Sequence, residues 1–174
     1  MGNVSIRPAG PADIPAIAQI YGDAVREGTA SFELEAPDEA EMMRRMRALL
    51  DGGFPYFAVD VGAILVGFAY AGPYRARPAY RFTVEDSIYV AQQAHRRGIG
   101  HMLLRELIAA SEVRGFRQMI AVIGDSANAG SIELHRCAGF RMVGTFDNVG
   151  FKFGRWLDSV LMQRPLGAGA TTAP

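Results

Sequence analysis

Cysteine is nearly missing from this sequence, because Cys137 is the single one among 174 residues. One thiol excludes an intrachain disulfide and argues against a thiolate metal cluster within one chain, so we expect no metal. The scarcity fits a reducing compartment, and the first residues lack the charged start and apolar run of a signal peptide. These features predict a cytoplasmic protein in which Cys137 is a packed residue and not a nucleophile.

An excess of charge of one sign and a long apolar run are also missing. Lys and Arg together number 18, as do Asp and Glu. Without a net positive field the chain has no general attraction for nucleic acid or anionic lipid, and we expect neither as a partner. No apolar stretch approaches the roughly 20 residues that span a bilayer, so no membrane is expected either. An anionic ligand must therefore be held by a local site.

The hydrophobic pattern that is present predicts one α/β (α+β) domain over residues 1–164. Its periodicities give the order β α α β β β α β α β β. Strands that follow one another without a helix favour antiparallel pairs, whereas the strand–helix–strand unit in residues 82–123 favours a parallel pair. A mixed, mostly antiparallel central sheet flanked by helices follows. Residues 165–174, rich in Ala, Gly, Thr and Pro, are expected to form a flexible tail.

One segment has the features of a phosphate-binding loop. Arg96 and Arg97 precede Gly98, Ile99 and Gly100 at the start of a helix. A helix N-terminus offers unpaired N–H groups and a partial positive charge, and glycine lets a phosphate approach the main chain. The segment suits a pyrophosphate, although a solvated arginine pair before an ordinary helix explains the same residues equally well.

A second group of polar residues belongs to the next, shorter helix. Ser131 and His135 are four residues apart, so they share one helix face and could address the same ligand. Asn128 could contact that ligand or serve as the N-cap of the helix. His135 taken alone is more commonly a satisfied surface or core histidine.

Charged residues also interrupt the strand of residues 82–90 and the loop before it. Glu85 lies midway along the strand, between Val84 and Asp86, and a cleft could raise its pKa towards the range useful to a general base. A solvent-facing charge is the alternative for Glu85, and Asp86 could be a salt-bridge partner. Arg75 and Arg77 could bind an anionic headgroup bidentately, or belong to a solvated loop or a subunit contact.

Taken in order, these features resemble the GNAT acetyltransferases over residues 4–164. The resemblance is nearest to the branch that acetylates phosphinothricin and methionine sulfoximine or sulfone. The stretches that support it are residues 29–33, 74–90, 96–100, 128–140 and 152–163. It implies transfer of the acetyl group of acetyl-CoA to the amino group of a small amino-acid-like substrate. It also implies a homodimer, which the apolar hairpin near residues 151–156 could support.

The resemblance assigns roles to individual residues. Glu85 would be the general base and His135 the proton donor to the departing thiolate, or His135 would itself be the base. Oxyanion donors would come from the main chain near Tyr89 or Val90. The residues expected to bind acetyl-CoA are Ile88, Tyr89 and Val90 through their main chain, then Arg96, Arg97, Gly98, Ile99, Gly100, His101, Asn128 and Ser131. Those expected to line the amino-acid pocket are Thr29, Phe32, Arg75, Ala76, Arg77, Glu85, Asp86, Ser87 and Lys152.

The phosphate loop departs from the family pattern at two positions. His95 stands where Gln or Arg is usual, and Arg96 stands where Gly is common. Two other functions remain open. A non-catalytic acyl-CoA-binding module would lack a base and a proton donor. An acetyltransferase for protein N-termini or lysines would need an open groove, whereas Arg75, Arg77 and Phe32 indicate a closed pocket.

Overall fold

The computed structural model describes residues 3–174, and across them seven strands form one sheet. The strands are β1 (Val4–Pro8), β2 (Tyr56–Val61), β3 (Ile64–Pro73), β4 (Thr83–Val90), β5 (Gln118–Gly124), β6 (Arg141–Lys152) and β7 (Arg155–Pro165). The helices are α1 (Ile14–Glu27), α2 (Glu39–Asp51), α3 (Ile99–Val113) and α4 (Ala129–Cys137). The strand order in the sheet is β1-β2-β3-β4-β5-β7-β6. All neighbouring strands are antiparallel except β4 and β5, which confirms the predicted fold class.

The helices cover both faces of the sheet. Alternation along β4 sends Val84 into the cluster formed with α3, where Leu103 and Leu107 are fully buried. The ring of Tyr89 packs on the opposite face, in the cluster formed with α1 and α2. Each helix contributes one apolar stripe to its own cluster, as the sequence pattern predicts.

Local capping explains where the helices start. The carboxylate of Asp38 accepts a hydrogen bond from the Glu41 N–H (2.8 Å) at the start of α2. The side-chain oxygen of Asn128 accepts one from the Ser131 N–H (3.2 Å) at the start of α4. Within residues 3–174, no helix is both long and apolar enough to cross a bilayer.

The packed structure continues beyond residue 164, where the domain was predicted to end. Leu166 is fully buried in the α3 cluster, and its N–H donates to the carbonyl of Arg117 (3.0 Å). The guanidinium of Arg117 donates to the carbonyl of Ala173 (3.0 Å) and to the hydroxyl of Thr172 (3.1 Å). Leu166, the residue directly after β7, thus ties the start of this segment to the core.

The parallel strands β4 and β5 stay together for only a short distance. Their pairing covers Thr83, Val84 and Glu85 and then stops. β5 nevertheless continues its pairing with β7 as far as Gly124, and β4 remains paired with β3 as far as Val90. The sheet therefore splits after Glu85, and the split opens a cleft between the two strands.

Candidate active site

The split in the sheet holds a cleft with a volume of about 1040 Å³. Both faces of the sheet contribute to its walls, because the opening between β4 and β5 connects them. The predicted site residues that line it are Thr29, Phe32, Glu85, Asp86, Ser87, Ile88, Tyr89, Val90, Arg96, Gly98, Ile99, Gly100, His101, Asn128, Ser131 and His135. Arg75, Ala76, Arg77, Arg97 and Lys152 do not line it. Most of the predicted constellation is thus gathered at one place.

The main chain of β4 has alternating directions that decide which residues face the split. The carbonyl of Phe82 accepts from Arg117 and Gln118, on the side of β5. The N–H of Ala91 donates to Val66 (2.8 Å), on the side of β3. Because successive residues of a strand point their N–H and C=O groups to opposite sides, even-numbered residues of β4 face β5 and odd-numbered ones face β3.

Ile88 and Val90 accordingly present main-chain groups to the open split, where β5 no longer pairs with them. Tyr89 does not, since its carbonyl oxygen lies beside Gly67 of β3, 3.0 Å from where a Cβ on that glycine would be. The expectation that the Tyr89 main chain binds acetyl-CoA is therefore wrong. The carbonyl of Val90 lies 2.8 Å from Nε2 of His95, so its N–H is the group left for a ligand.

The loop before α3 provides the cradle expected for a diphosphate. Gly98 has φ +78°, a left-handed conformation that glycine adopts without strain. The first hydrogen bond of the helix runs from Met102 to the Gly98 carbonyl (3.1 Å), so the N–H groups just before Met102 have no partner within the helix. A Cβ on Gly100 would lie 3.3 Å from a methyl group of Leu134, which leaves little room for a side chain. These groups fit the diphosphate of acetyl-CoA.

The backbone conformation at Arg96 explains why glycine is common at this position in the family pattern. Its φ is +58°, in the left-handed region that non-glycine residues rarely adopt. The loop thus has a left-handed backbone at residue 96 although glycine would adopt that conformation with less strain than arginine. Arg97 is exposed and outside the cleft walls.

Glu85 is half-buried at the point where β4 and β5 part. Burial raises its pKa to about 7, with a further increase from the charge of Asp86 and an opposing decrease from Arg75. A carboxyl group that titrates near neutrality can accept a proton from an ammonium group and release it again. This geometry supports the role of general base.

His135 and Asp86 form a buried pair at the base of the cleft. Nε2 of His135 lies 2.9 Å from Oδ2 of Asp86, and their side chains are only 5% and 2% exposed. Nδ1 of His135 lies 2.7 Å from the carbonyl oxygen of Ser131, which can only accept, so Nδ1 carries a proton. Burial lowers the pKa of His135, but the hydrogen bond and charge of Asp86, with the Ser131 carbonyl, raise it overall above the ordinary histidine value.

Both ring nitrogens of His135 are therefore engaged inside the protein. No ring nitrogen is left to donate a proton to a thiolate or to accept one from an amine, so the geometry contradicts both predicted catalytic roles. Asp86 likewise serves His135 instead of the amino-acid pocket. The second oxygen of Asp86, Oδ1, is buried with no hydrogen-bond partner among residues 3–174.

Lys152 acts behind the cleft wall instead of inside the pocket. Its ammonium donates to the carbonyls of Gly28 (2.9 Å) and Ser31 (2.7 Å), and the residue is only 5% exposed. Burial lowers its pKa. The segment that Lys152 holds carries Thr29 and Phe32, which do line the cleft. Lys152 is thus a positioning residue for this loop.

Two glycines let the loop of residues 28–32 lie against the sheet. A Cβ on Gly124 would collide with the carbonyl oxygen of Thr29, and one on Gly150 would collide with the ring of Phe32. The loop therefore closes over the end of β5 only because both positions lack a side chain. Neither glycine has a positive φ. The sequence around them therefore shows no turn that would require glycine, and their role could not be predicted from it.

The basic loop before β4 lies outside the cleft walls. Arg75, Ala76 and Arg77 are exposed, and the guanidinium of Arg75 sits 5.1 Å from the centre of the Tyr74 ring. Arg75 still has an electrostatic effect on the site, because its positive charge lowers the pKa of Glu85. The structure does not bring Ala76 or Arg77 to the cleft.

Sequence reasoning missed two tyrosines in the cleft wall. Tyr21 and Tyr70 both line the cleft. The hydroxyl of Tyr21 donates to the carboxylate of Glu33 (2.8 Å) and lies 3.1 Å from Oγ of Ser31. Tyr21 falls in the apolar stripe of α1, so its periodicity indicated only a core residue. Cys137 was expected to be packed, but it is exposed.

This arrangement first defines a class of protein. A sheet that splits beside a glycine-started helix, with a half-buried carboxyl group at the split, suits a transferase that uses an acyl thioester of coenzyme A. The chain belongs to the acetyltransferase (GNAT) family, whose model matches residues 17–140. This confirms the resemblance seen in the sequence. As a member of this family, the protein is an acetyl-CoA-dependent acetyltransferase.

Individual relatives agree with the family. Over 162 residues the chain is 53% identical to the phosphinothricin N-acetyltransferase of Alcaligenes faecalis, which covers 93% of this chain and 82% of that protein. Over 162 residues it is 41% identical to the L-methionine sulfoximine/L-methionine sulfone acetyltransferase of Pseudomonas paraeruginosa, covering 92% and 94% respectively. A solved phosphinothricin acetyltransferase from Sinorhizobium meliloti, in complex with AcCoA, is 46% identical with a TM-score of 0.96, covering 98% of this chain and 92% of that chain.

Proposed function

We propose that this enzyme acetylates the amino group of a small amino-acid-like substrate of the phosphinothricin, methionine sulfoximine or methionine sulfone type. The observation that carries the proposal is Glu85, a carboxyl group with a pKa of about 7 at the split between β4 and β5. The two named relatives, at 53% and 41% identity, support this substrate class. Acetylation of a toxic amino acid would make resistance the biological role.

Acetyl-CoA supplies the acetyl group as a thioester. The free N–H groups at the start of α3 would hold its diphosphate. The open edge of β4 would bind its pantetheine arm through Ile88 and Val90, as an added strand would bind. Asn128 uses its side-chain oxygen to cap α4 and keeps its amide N–H groups for the same arm.

The reaction needs a base and an oxyanion donor. Glu85 removes a proton from the substrate ammonium, because an ammonium group has no lone pair for attack. The resulting amine attacks the thioester carbonyl, and the N–H of Val90 donates to the oxygen as its negative charge develops. The carbon–sulfur bond then breaks, the attacking nitrogen gives up its second proton, and the departing sulfur takes up a proton so that coenzyme A leaves as the free thiol. His135 stabilises the base of the cleft through Asp86 and takes no part in proton transfer.

The loop of residues 28–32 would close over the side chain of the substrate amino acid. Phe32 supplies an apolar wall, and Lys152 fixes the loop from behind. Arg75 lies where its charge reaches Glu85, and would attract the anionic end of the substrate from solvent.

We also propose a homodimer formed through the β6–β7 hairpin. Several large apolar residues of this hairpin are more than half exposed, among them Phe151 at 56% and Trp156 at 60%. Their rings pack against each other with centres 5.2 Å apart. An exposed aromatic patch of this kind is typical of an interaction surface. Sedimentation should give a dimer for the native enzyme and a monomer for Trp156→Glu.

A substrate panel tests the proposed reaction. Release of free thiol from acetyl-CoA would be followed with phosphinothricin, methionine sulfoximine, methionine sulfone and a lysine-containing peptide. We expect thiol release with one or more of the amino acids and none with the peptide. Activity on the peptide alone would overturn the substrate class. No release with any amine, despite tight binding of coenzyme A, would favour the non-catalytic binding module.

Glu85→Gln tests the assigned base, with Glu106→Gln as the matched control. Glu106 is an exposed residue of α3 outside the cleft. We expect Glu85→Gln to lower turnover by a factor of about 10²–10⁴ with coenzyme A binding intact, as is typical for loss of a general base. Wild-type turnover in this variant would remove Glu85 from the mechanism.

A further inference from the structure

A chain of polar side chains joins helix α2 to the loop that walls one side of the cleft. Arg45 of α2 donates through Nη1 to Oε1 of Glu33, at 2.6 Å, and through Nη2 to the other carboxylate oxygen, at 3.4 Å. Glu41, one turn earlier on the same helix, accepts from Nε of Arg45 at 2.7 Å. The planar guanidinium of Arg45 therefore bridges a carboxylate of its own helix and a carboxylate that follows the loop.

The hydroxyl of Tyr21 on α1 continues this chain. It donates to Oε1 of Glu33 at 2.8 Å, and it lies 3.1 Å from the hydroxyl oxygen of Ser31. Because a carboxylate can only accept, the proton of Tyr21 points to Glu33, and Ser31 is the donor to the Tyr21 oxygen. Burial and Glu33 raise the pKa of Tyr21 to about 12 against an opposing effect of Ser31. Tyr21 therefore remains a donor across the neutral pH range.

The inner and outer members of this chain differ in their exposure to solvent. Tyr21 and Ser31 are only 5% and 7% exposed, so a hydroxyl that lost its partner there would be costly to leave unpaired. The side chains of Glu33 and Arg45 are 35% and 38% exposed, and solvent screens the attraction between them. We therefore expect this ion pair to add little to the overall stability, which leaves its effect on the loop measurable by itself.

Phe32 is the residue that these contacts hold in place. Its neighbours Ser31 and Glu33 both belong to the chain, and the carbonyl of Ser31 also accepts from Lys152 (2.7 Å). The ring of Phe32 lines the cleft and lies so close to Gly150 that a Cβ on this glycine would collide with it. A displacement of either neighbour of Phe32 would therefore move the ring within the cleft.

We propose that Arg45 and Glu33 are positioning residues that set where the Phe32 wall stands in the amino-acid pocket. Neither residue lines the cleft, so both act through the loop and not by contact with a substrate. The inference rests on the proposed function, in which Phe32 walls the side chain of the substrate amino acid. Their effect falls on the amine and not on acetyl-CoA, whose proposed contacts lie on β4 and at the start of α3.

Steady-state kinetics of Arg45→Gln test this proposal, with Arg44→Gln as the matched control. Arg44 is the neighbouring arginine of α2, and its guanidinium donates to both oxygens of Glu41, at 2.7 and 2.6 Å. We expect Arg45→Gln to raise KM for the amine about two- to fivefold, the range of a partly exposed ion pair, with kcat and KM for acetyl-CoA unchanged. Arg45→Lys keeps the charge and should recover part of this loss, and Arg44→Gln should match the wild-type enzyme.

A double-mutant cycle separates this pair from a general loosening of the fold. Since Arg45 acts through Glu33, the double variant of Arg45→Gln and Glu33→Gln should raise KM for the amine no further than the larger single change. An unchanged amine KM in Arg45→Gln, fully additive effects, or an equal rise in KM for acetyl-CoA would overturn the proposal and leave the acetyltransferase function standing. A wild-type enzyme without turnover on any amine of the panel would overturn the proposed function, and this inference with it.

Discussion

The pH dependence of the reaction should report the ionisation of Glu85. Its pKa is about 7, raised from 4.5 mainly by burial. A base acts only when deprotonated, so activity is present above the pKa and is lost as the pH falls through it. At pH 6 only about a tenth of the carboxyl groups are ionised, and kcat/KM should fall about tenfold for each further unit of acidity.

The two charges next to Glu85 predict opposite displacements of this profile. Asp86 raises the pKa of Glu85 and Arg75 lowers it. The acid limb of the kcat/KM profile should therefore move to lower pH in Asp86→Asn and to higher pH in Arg75→Gln. Arg75 is exposed, so its replacement leaves the fold intact and isolates the electrical effect.

The measurement is thiol release at subsaturating amine from pH 5 to 9, with stability followed separately at each pH. The pH at which the acid limb of the kcat/KM profile falls does not depend on the amount of active enzyme. Partial unfolding of Asp86→Asn therefore does not obscure a displacement of this limb. An acid limb near the ordinary glutamate range, or a limb that neither variant moves, would refute Glu85 as the base.

Three further predictions concern positioning and backbone shape. Lys152→Met frees the carbonyls of residues 28 and 31; it should raise KM for the amine while calorimetry shows unchanged coenzyme A binding, and an unchanged amine KM would contradict the loop assignment. Arg96 has φ +58°, so thermal unfolding should find Arg96→Gly more stable than Arg96→Val by about 1–2 kcal/mol; equal stability would exclude a left-handed backbone there. NMR of the imidazole nitrogens should show that His135 keeps both of its ring protons at pH values above the ordinary histidine pKa. In Asp86→Asn it should lose one of these protons at a lower pH than in the wild-type protein. A His135 titration that Asp86→Asn does not alter would contradict the pair.

Local sequence signals were sufficient to predict the helices and strands and part of the candidate site. Asn128 caps α4 as its position before an amphipathic run predicts, and Gly98 starts α3 in a left-handed conformation. The order of strands and helices followed from periodicity alone. These features depend on residues within one or two turns of each other, and neighbours in the chain remain neighbours in the fold.

The partners of polar side chains could not be predicted in this way. His135 finds Asp86 across 49 residues, and Lys152 finds Gly28 across 124. We predicted that His135 and Lys152 act at the ligands, because the sequence shows that a side chain is ionisable but not which group it will contact in the fold. The split after Glu85 likewise depends on the strand register, which no single segment contains.

The sequence by itself determined the order of the elements, the glycine-started helix and the carboxylate in β4, because periodicity, caps and residue type are properties of the local chain. Only the tertiary structure decided that Glu85 titrates near neutrality and that His135 is held by Asp86. It also decided that Lys152 and Leu166 pack inside the protein. These outcomes depend on burial and on distances between remote segments, and packing sets both once the whole sheet has formed.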